Sequence, residues 1–195
     1  AGALADLDSA GVDETLRYAA RRPGAKAQSR GKPEQVLDGS ERKLEAVYET
    51  PYLAHAPLEP MNCTVHLTGE GCEVWAPTQN QTGTVATVRQ LTGLPPKKIL
   101  VHTPFLGGGF GRRSETDFVA EAVQLAQVTD RPVHLVWTLD DDFGHDWFRP
   151  ANLNRARGAL GAGGEPLAWL QRTVGPDLAL GDVNIPYAIA HLRAE

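Results

Sequence analysis

Cysteine is scarce in this chain. Cys63 and Cys72 are its two thiols, and they stand outside any C-x-x-C spacing. An iron–sulfur cluster or a Cys-rich zinc site needs more thiolate ligands than that. A hairpin turning at residues 69–71 does not set Cys63 directly opposite Cys72, so free thiols are expected rather than a bridge. Long apolar runs are absent too, and nothing approaches the roughly 20 residues of a membrane span. The first six residues, Ala-Gly-Ala-Leu-Ala-Asp, lack both a basic start and an apolar stretch, so they are not expected to be a signal peptide. No methionine precedes Ala1, so the chain is expected to be processed or cut from something longer. No basic excess exists: the formal net charge is −5, against a general nucleic-acid binder.

The nucleotide-loop signatures are missing as well. Residues 103–113 read Thr-Pro-Phe-Leu-Gly-Gly-Gly-Phe-Gly-Arg-Arg, but no Gly-Lys-Ser/Thr follows, and Arg112 stands three positions after Gly109. Neither a Walker loop nor Gly-x-Gly-x-x-Gly is present. What remains is a strand-to-helix turn in which only Phe110 interrupts the glycines. Such a backbone can offer bare N–H groups to a closely approaching anion or oxo group. Arg112 and Arg113 add forked cationic donors of the kind that phosphate recognition favours.

The rest of the chain supplies a framework. Residues 12–22 read as a short helix that opens on Asp13 and Glu14 and closes before Pro23. Residues 24–35 are polar and basic without periodicity, as in a linker or an exposed loop. Residues 43–50 alternate, with Leu44, Ala46 and Tyr48 on one face, as in a half-buried strand. The prolines of residues 51–62 deny His55 and Glu59 helical spacing, so a metal or acid/base role is not assigned to them. Residues 63–68 and 72–75 form a hairpin. Thr78 and Gln81 have capping-box spacing for a helix over residues 83–91, which places Gln79 in its first turn at the end of a strand. There its carboxamide can donate a neutral hydrogen bond into a site. After the glycines, Ser114 is expected to cap a helix to about Thr129, with Phe118, Ala122, Leu125 and Ala126 facing a core. Residues 132–137 form a strand with a structural His134. The acidic run at residues 140–142 suits a solvated loop better than a metal cage. Residues 154–160 and 167–174 are strands around a glycine-rich turn, and the tail from residue 181 ends in a further strand. The fold class is therefore α+β: a mixed β-sheet with hairpins and two packed helices. Residues 1–40 are expected to form an N-terminal helix and linker, and residues 41–195 the main domain.

The sequence over residues 105–113 resembles the molybdopterin-contacting loop of the xanthine oxidase and aldehyde oxidoreductase family, closest to the isoquinoline 1-oxidoreductase branch, where Arg-Arg follows the glycines. Residues 55–62, 75–80 and 137–151 resemble other segments of that family, in the expected order. The resemblance implies the family's molybdopterin-binding domain, belonging to an oxidoreductase that hydroxylates N-heterocycles or oxidises aldehydes with water-derived oxygen. It implies molybdenum on molybdopterin in the cytosine dinucleotide form. Iron–sulfur clusters are expected only in a small partner subunit holding two 2Fe–2S centres, with a cytochrome c as a further electron acceptor. It assigns Gln79 to an oxo ligand of the metal. Gly108, Gly109, Phe110, Gly111 and Arg112 would hold the cofactor. No residue here matches the family's catalytic glutamate, because Glu165 sits in a turn before Pro166. The chain alone is accordingly expected to be inactive and to hold the cofactor weakly or not at all. A non-redox anion- or nucleotide-binding module is the competing reading, and the compartment, bacterial cytoplasm or periplasm, stays open.

Overall fold

The computed structural model describes residues 7–176 and 184–195. In chain order its elements are α1 (Ser9–Ala20), β1 (Gln28–Arg30), α2 (Pro33–Gly39), β2 (Arg42–Thr50), β3 (Asn62–Leu67), β4 (Cys72–Trp75), α3 (Gln81–Thr92), β5 (Ile99–His102), α4 (Asp117–Thr129), β6 (Val133–Val136), α5 (Leu139–Gly144), β7 (Asn152–Leu160), β8 (Pro166–Val174) and β9 (His191–Ala194). They sort into two compact units, one built from residues 1–53 and 150–195, the other from residues 54–149. Residues on both sides of position 40 thus share one unit. No described helix is long and apolar enough to cross a membrane.

The discontinuous unit holds a mixed sheet in the order β1-β9-β8-β7-β2. The expected hairpin of β7 and β8 is present, with Leu153 opposite Val174. Two expectations fail here. The supposed linker contains β1, in which Gln28 pairs with Ala194 near residue 195, and the start of α2. Pairing at that separation leaves no local periodicity to read. β2 forms as expected and pairs with β7 along its whole length. Its predicted inner face is open, however: Leu44 and Tyr48 are 61% and 63% exposed. Apolar alternation marks a face that suits burial, and among the described residues of this unit nothing buries Leu44 or Tyr48. Of the tail expectation, residues 181–183 lie outside the described residues, and the strand itself is β9.

The continuous unit carries the glycine loop. Its sheet runs β5-β4-β3-β6, with β4 and β5 parallel and the other pairs antiparallel. Parallel neighbours need a crossover, and α3 supplies it between β4 and β5. Cys63, Val65, Cys72 and Val74 alternate inward from the β3–β4 hairpin and meet Val88 of α3 and Phe118, Val119, Ala122, Val123 and Ala126 of α4. The α4 stripe is therefore rotated from the expected one: Leu125 is exposed, and Val119 and Val123 are buried instead. Burial of whole side chains of this kind contributes roughly 1.5–3 kcal/mol each, as an upper bound for the folded core. Both cysteines are free thiols in this core.

The helix starts differ by a few residues. Asn80, not Thr78, caps α3, its Oδ1 accepting from Gly83 N at 2.8 Å. Thr78 is spent elsewhere, donating to Arg113 O at 3.1 Å. Gln79 consequently precedes the helix rather than lying in its first turn. Ser114 belongs to a short 3-10 turn, Arg112–Ser114, and α4 begins later, at Asp117. The acidic run is helical, not a loop: Thr138 and Asp141 make a reciprocal capping box for α5, and Asp142 is buried.

Candidate functional site

The glycine loop leaves β5 at its C-terminal end and closes into the 3-10 turn ahead of α4. Positive φ angles recur in it: 100° at Gly108, 54° at Phe110 and 111° at Gly111. For Phe110 this is an uncommon backbone state, held by the tight turn around it, and its ring stays 68% exposed. That ring also explains Gly108, where an added Cβ would stand 3.2 Å from Phe110 Cε2. Gly109 makes room for a neighbour instead: its Cβ would lie 2.4 Å from Gln79 Oε1, so a side chain there would push the carboxamide aside.

Gln79 therefore does reach the loop. Its Oε1 accepts from Gly111 N at 3.1 Å, and its own N–H donates to Arg113 O at 2.9 Å. With the oxygen engaged, the amide nitrogen of the side chain is the atom left to donate outward. Gly107 N–H donates to Glu59 Oε2 at 2.5 Å, and Arg112 N–H to Gly109 O at 2.9 Å. Among the described residues the N–H groups of Gly108, Gly109 and Phe110 have no acceptor. Three consecutive free donors beside one carboxamide form a neutral cradle for oxygen or nitrogen acceptors.

The arginines do not take the role their chemistry suggested. Both side chains are fully buried. The Arg112 guanidinium meets Asp117 with two bonds, at 3.0 and 2.8 Å, while Asp146 and Asp142 lie 3.4 and 3.8 Å from its Nε. The same guanidinium lies 5.2 Å from the ring centre of Trp137. Arg113 donates to the carbonyls of Gly108, Pro77 and Glu59, at 2.7, 3.3 and 2.5 Å. Its carboxylate neighbour is Glu59, at 3.2 Å. Burial lowers the Arg113 pKa, opposed by Glu59 and Asp142. Neither guanidinium is presented to a phosphate. Together they rivet the loop to the body of the unit from behind, which fixes the free amides in front.

Sequence reasoning missed the residues that perform this anchoring. His55 donates its backbone N–H to Asp146 Oδ2 at 2.5 Å, and its Nδ1 lies 2.8 Å from Asp146 Oδ1. Glu59 braces Gly107, and Asp117 and Asp142 flank Arg112. The one signal available was the recurrent proline segment containing His55 and Glu59. Asp146 carried none, since nothing local distinguishes it from a surface aspartate. Burial pushes the Asp142 carboxyl up, against the pull of Arg112. His134 is a cross-strand partner of Thr64, with Nδ1 2.5 Å from Thr64 Oγ1.

Comparison with known proteins gives these observations a family context. The sequence pattern of the molybdopterin cofactor-binding domain matches residues 18–192. The isoquinoline 1-oxidoreductase subunit beta of Brevundimonas diminuta is 28% identical over 165 residues, covering 84% of this chain and 20% of that protein. The xanthine dehydrogenase of Emericella nidulans is 31% identical over 121 residues, covering 57% of this chain and 8% of that protein. Among solved structures, the aldehyde oxidoreductase of Desulfovibrio gigas superposes with a TM-score of 0.68 at 17% identity, covering 85% of this chain and 20% of that one. Quinoline 2-oxidoreductase of Pseudomonas putida gives 0.64 at 19% identity, over 78% of this chain and 20% of that one. These structural likenesses bear on the fold, and the chain spans about a fifth of the first relatives it matches.

Proposed function

This chain belongs to the molybdopterin cofactor-binding domain family, and from that premise we propose that it is the part of an oxidoreductase that holds molybdenum on its pterin. The reaction class is hydroxylation of N-heterocycles or oxidation of aldehydes with water-derived oxygen. The single observation that carries the reading is the cradle: three N–H groups, Gly108 to Phe110, beside the carboxamide nitrogen of Gln79, all without a partner among the described residues.

The residues present fit such a group. The donors are neutral and closely spaced, and the absence of a Cβ at Gly109 lets a ligand approach the main chain. They fit a nucleotide triphosphate less well, because Arg112 and Arg113 are consumed by carboxylates and carbonyls. When bound, the metal–pterin supplies the two-electron chemistry. The chain's own contribution is to orient and polarise. Gly108, Gly109 and Phe110 would direct N–H groups at cofactor oxygens, and Gln79 Nε2 would donate to a ligand of the metal. Phe110 would wall one side, excluding water. Gly111 would act through its bond to Gln79, and Arg112 through the loop it anchors.

The finer assignments belong to the same reading: a cytosine dinucleotide on the pterin, a partner subunit with two 2Fe–2S clusters, and a cytochrome c as acceptor. The family's glutamate base has no counterpart here, so the 195 residues alone are proposed to be inactive. Molybdenum and pterin analysis of the protein purified as its host makes it tests the assignment. Both are expected near one per chain. Adenine nucleotide without molybdenum would replace the reading with a nucleotide-binding module.

A further inference from the structure

His55 is held more firmly than a structural histidine requires. Its backbone N–H donates to Asp146 Oδ2 at 2.5 Å, and its ring Nδ1 lies 2.8 Å from Asp146 Oδ1. That carboxylate is only 2% exposed and also faces Arg112 Nε at 3.4 Å. In a neutral imidazole, an Nδ1–H donated to this carboxylate selects one of the two ring tautomers. The tautomer leaves Nε2 with its lone pair, and among the described residues that atom has no hydrogen-bond partner. Nε2 sits against the glycine loop: a Cβ at Gly111 would stand 3.3 Å from it. Gly111 is the residue whose N–H holds Gln79.

We infer that His55 is a cofactor-contacting residue, presenting Nε2 as a hydrogen-bond acceptor for an N–H of the pterin beside the donors of the loop. This rests on the molybdopterin reading given above. A site made only of donors satisfies oxygens; a ring system carrying N–H and carbonyl groups together needs an acceptor as well. Asp146 is the positioning residue behind it. It sets the tautomer, and through Arg112 it ties the imidazole to the loop that bears the donors.

Asparagine and glutamine at position 55 separate the two ring nitrogens. His55→Asn can keep a donor toward Asp146 where Nδ1 stood but carries nothing in place of Nε2. The native protein, purified as its host makes it, should lose pterin and molybdenum about tenfold in His55→Asn while its melting temperature changes little. His55→Gln, which offers an oxygen nearer the Nε2 position, should recover part of the occupancy. Wild-type occupancy in His55→Asn overturns the proposal and leaves His55 a strut. Should that variant fail to fold, Asp146→Asn decides. It frees the tautomer, and undiminished pterin there overturns the proposal equally. Absence of pterin from the wild-type protein would instead sink the parent reading, so the two failures are distinct.

Discussion

Gly109 offers a clean perturbation of the cradle. Its φ is not in the left-handed region, so alanine costs nothing in backbone strain there. The three atoms nearest the added methyl all belong to the Gln79 side chain, with Oε1 at 2.4 Å and Cδ at 2.9 Å. A side-chain tip can move aside, but doing so breaks the 3.1 Å bond from Gly111 N–H. The cost is one intramolecular hydrogen bond, about 0.5–1.5 kcal/mol. Gln79→Ala removes the same bond directly and should cost a similar amount. The double variant should therefore cost about as much as either single one, since the side chain nearest the methyl is gone. Urea unfolding of the four proteins gives the coupling, and hydrogen exchange at the Gly111 amide reports locally on the bond. Pterin content should fall in all three variants. Additivity of the two single costs within about 0.3–0.5 kcal/mol, the range for independent sites, would refute the packing of Gln79 on Gly109.

Other consequences are as direct. Arg112→Met should destabilise by about 3–5 kcal/mol, because it leaves buried carboxylates without their cation; unchanged thermal unfolding would contradict the rivet. Arg112→Lys should rescue little of this, since a point charge does not replace the two-pronged bond to Asp117. Asp142 has its pKa raised by burial, so the folded state binds its proton more tightly than the unfolded state. Stability from that proton is full below the ordinary aspartate range and is lost as pH rises through the raised folded value. Asp142→Asn should flatten this fall in a pH series of melting temperatures. Burial pushes the thiols of Cys63 and Cys72 up to about 12 and about 11. Both should resist alkylation at pH 8 until the protein unfolds, and rapid native labelling would refute their placement.

The sequence disclosed what local chemistry controls. The β4–α3–β5 crossover, the hairpins and the glycine loop were readable because turn residues and apolar spacing act over a few positions. Gln79 was readable as a residue near the loop, although its cap was misassigned, since Thr78 turned to Arg113 and left Asn80 to start the helix. What escaped depends on distant partners. β1 exists because of β9, and Asp146 matters because of His55 and Arg112, none of which any window of sequence contains. The arginine pair shows the same limit from the other side. Its residue type suggested an anion site, and only the folded chain reveals that carboxylates and carbonyls had already claimed it.

The ladder joining β2 to β7 has a corollary for how the chain is assembled. Thr50 lies opposite Asn152, so the roughly hundred residues between them leave and re-enter the sheet at neighbouring rungs. Topologically, residues 54–149 occupy the place of a hairpin turn. Such a segment can be completed on the ribosome before its host sheet has received β7, β8 or β9. Excising it in favour of a two-residue turn should leave the host's strand pairing intact, a graft that circular dichroism of the shortened protein would report.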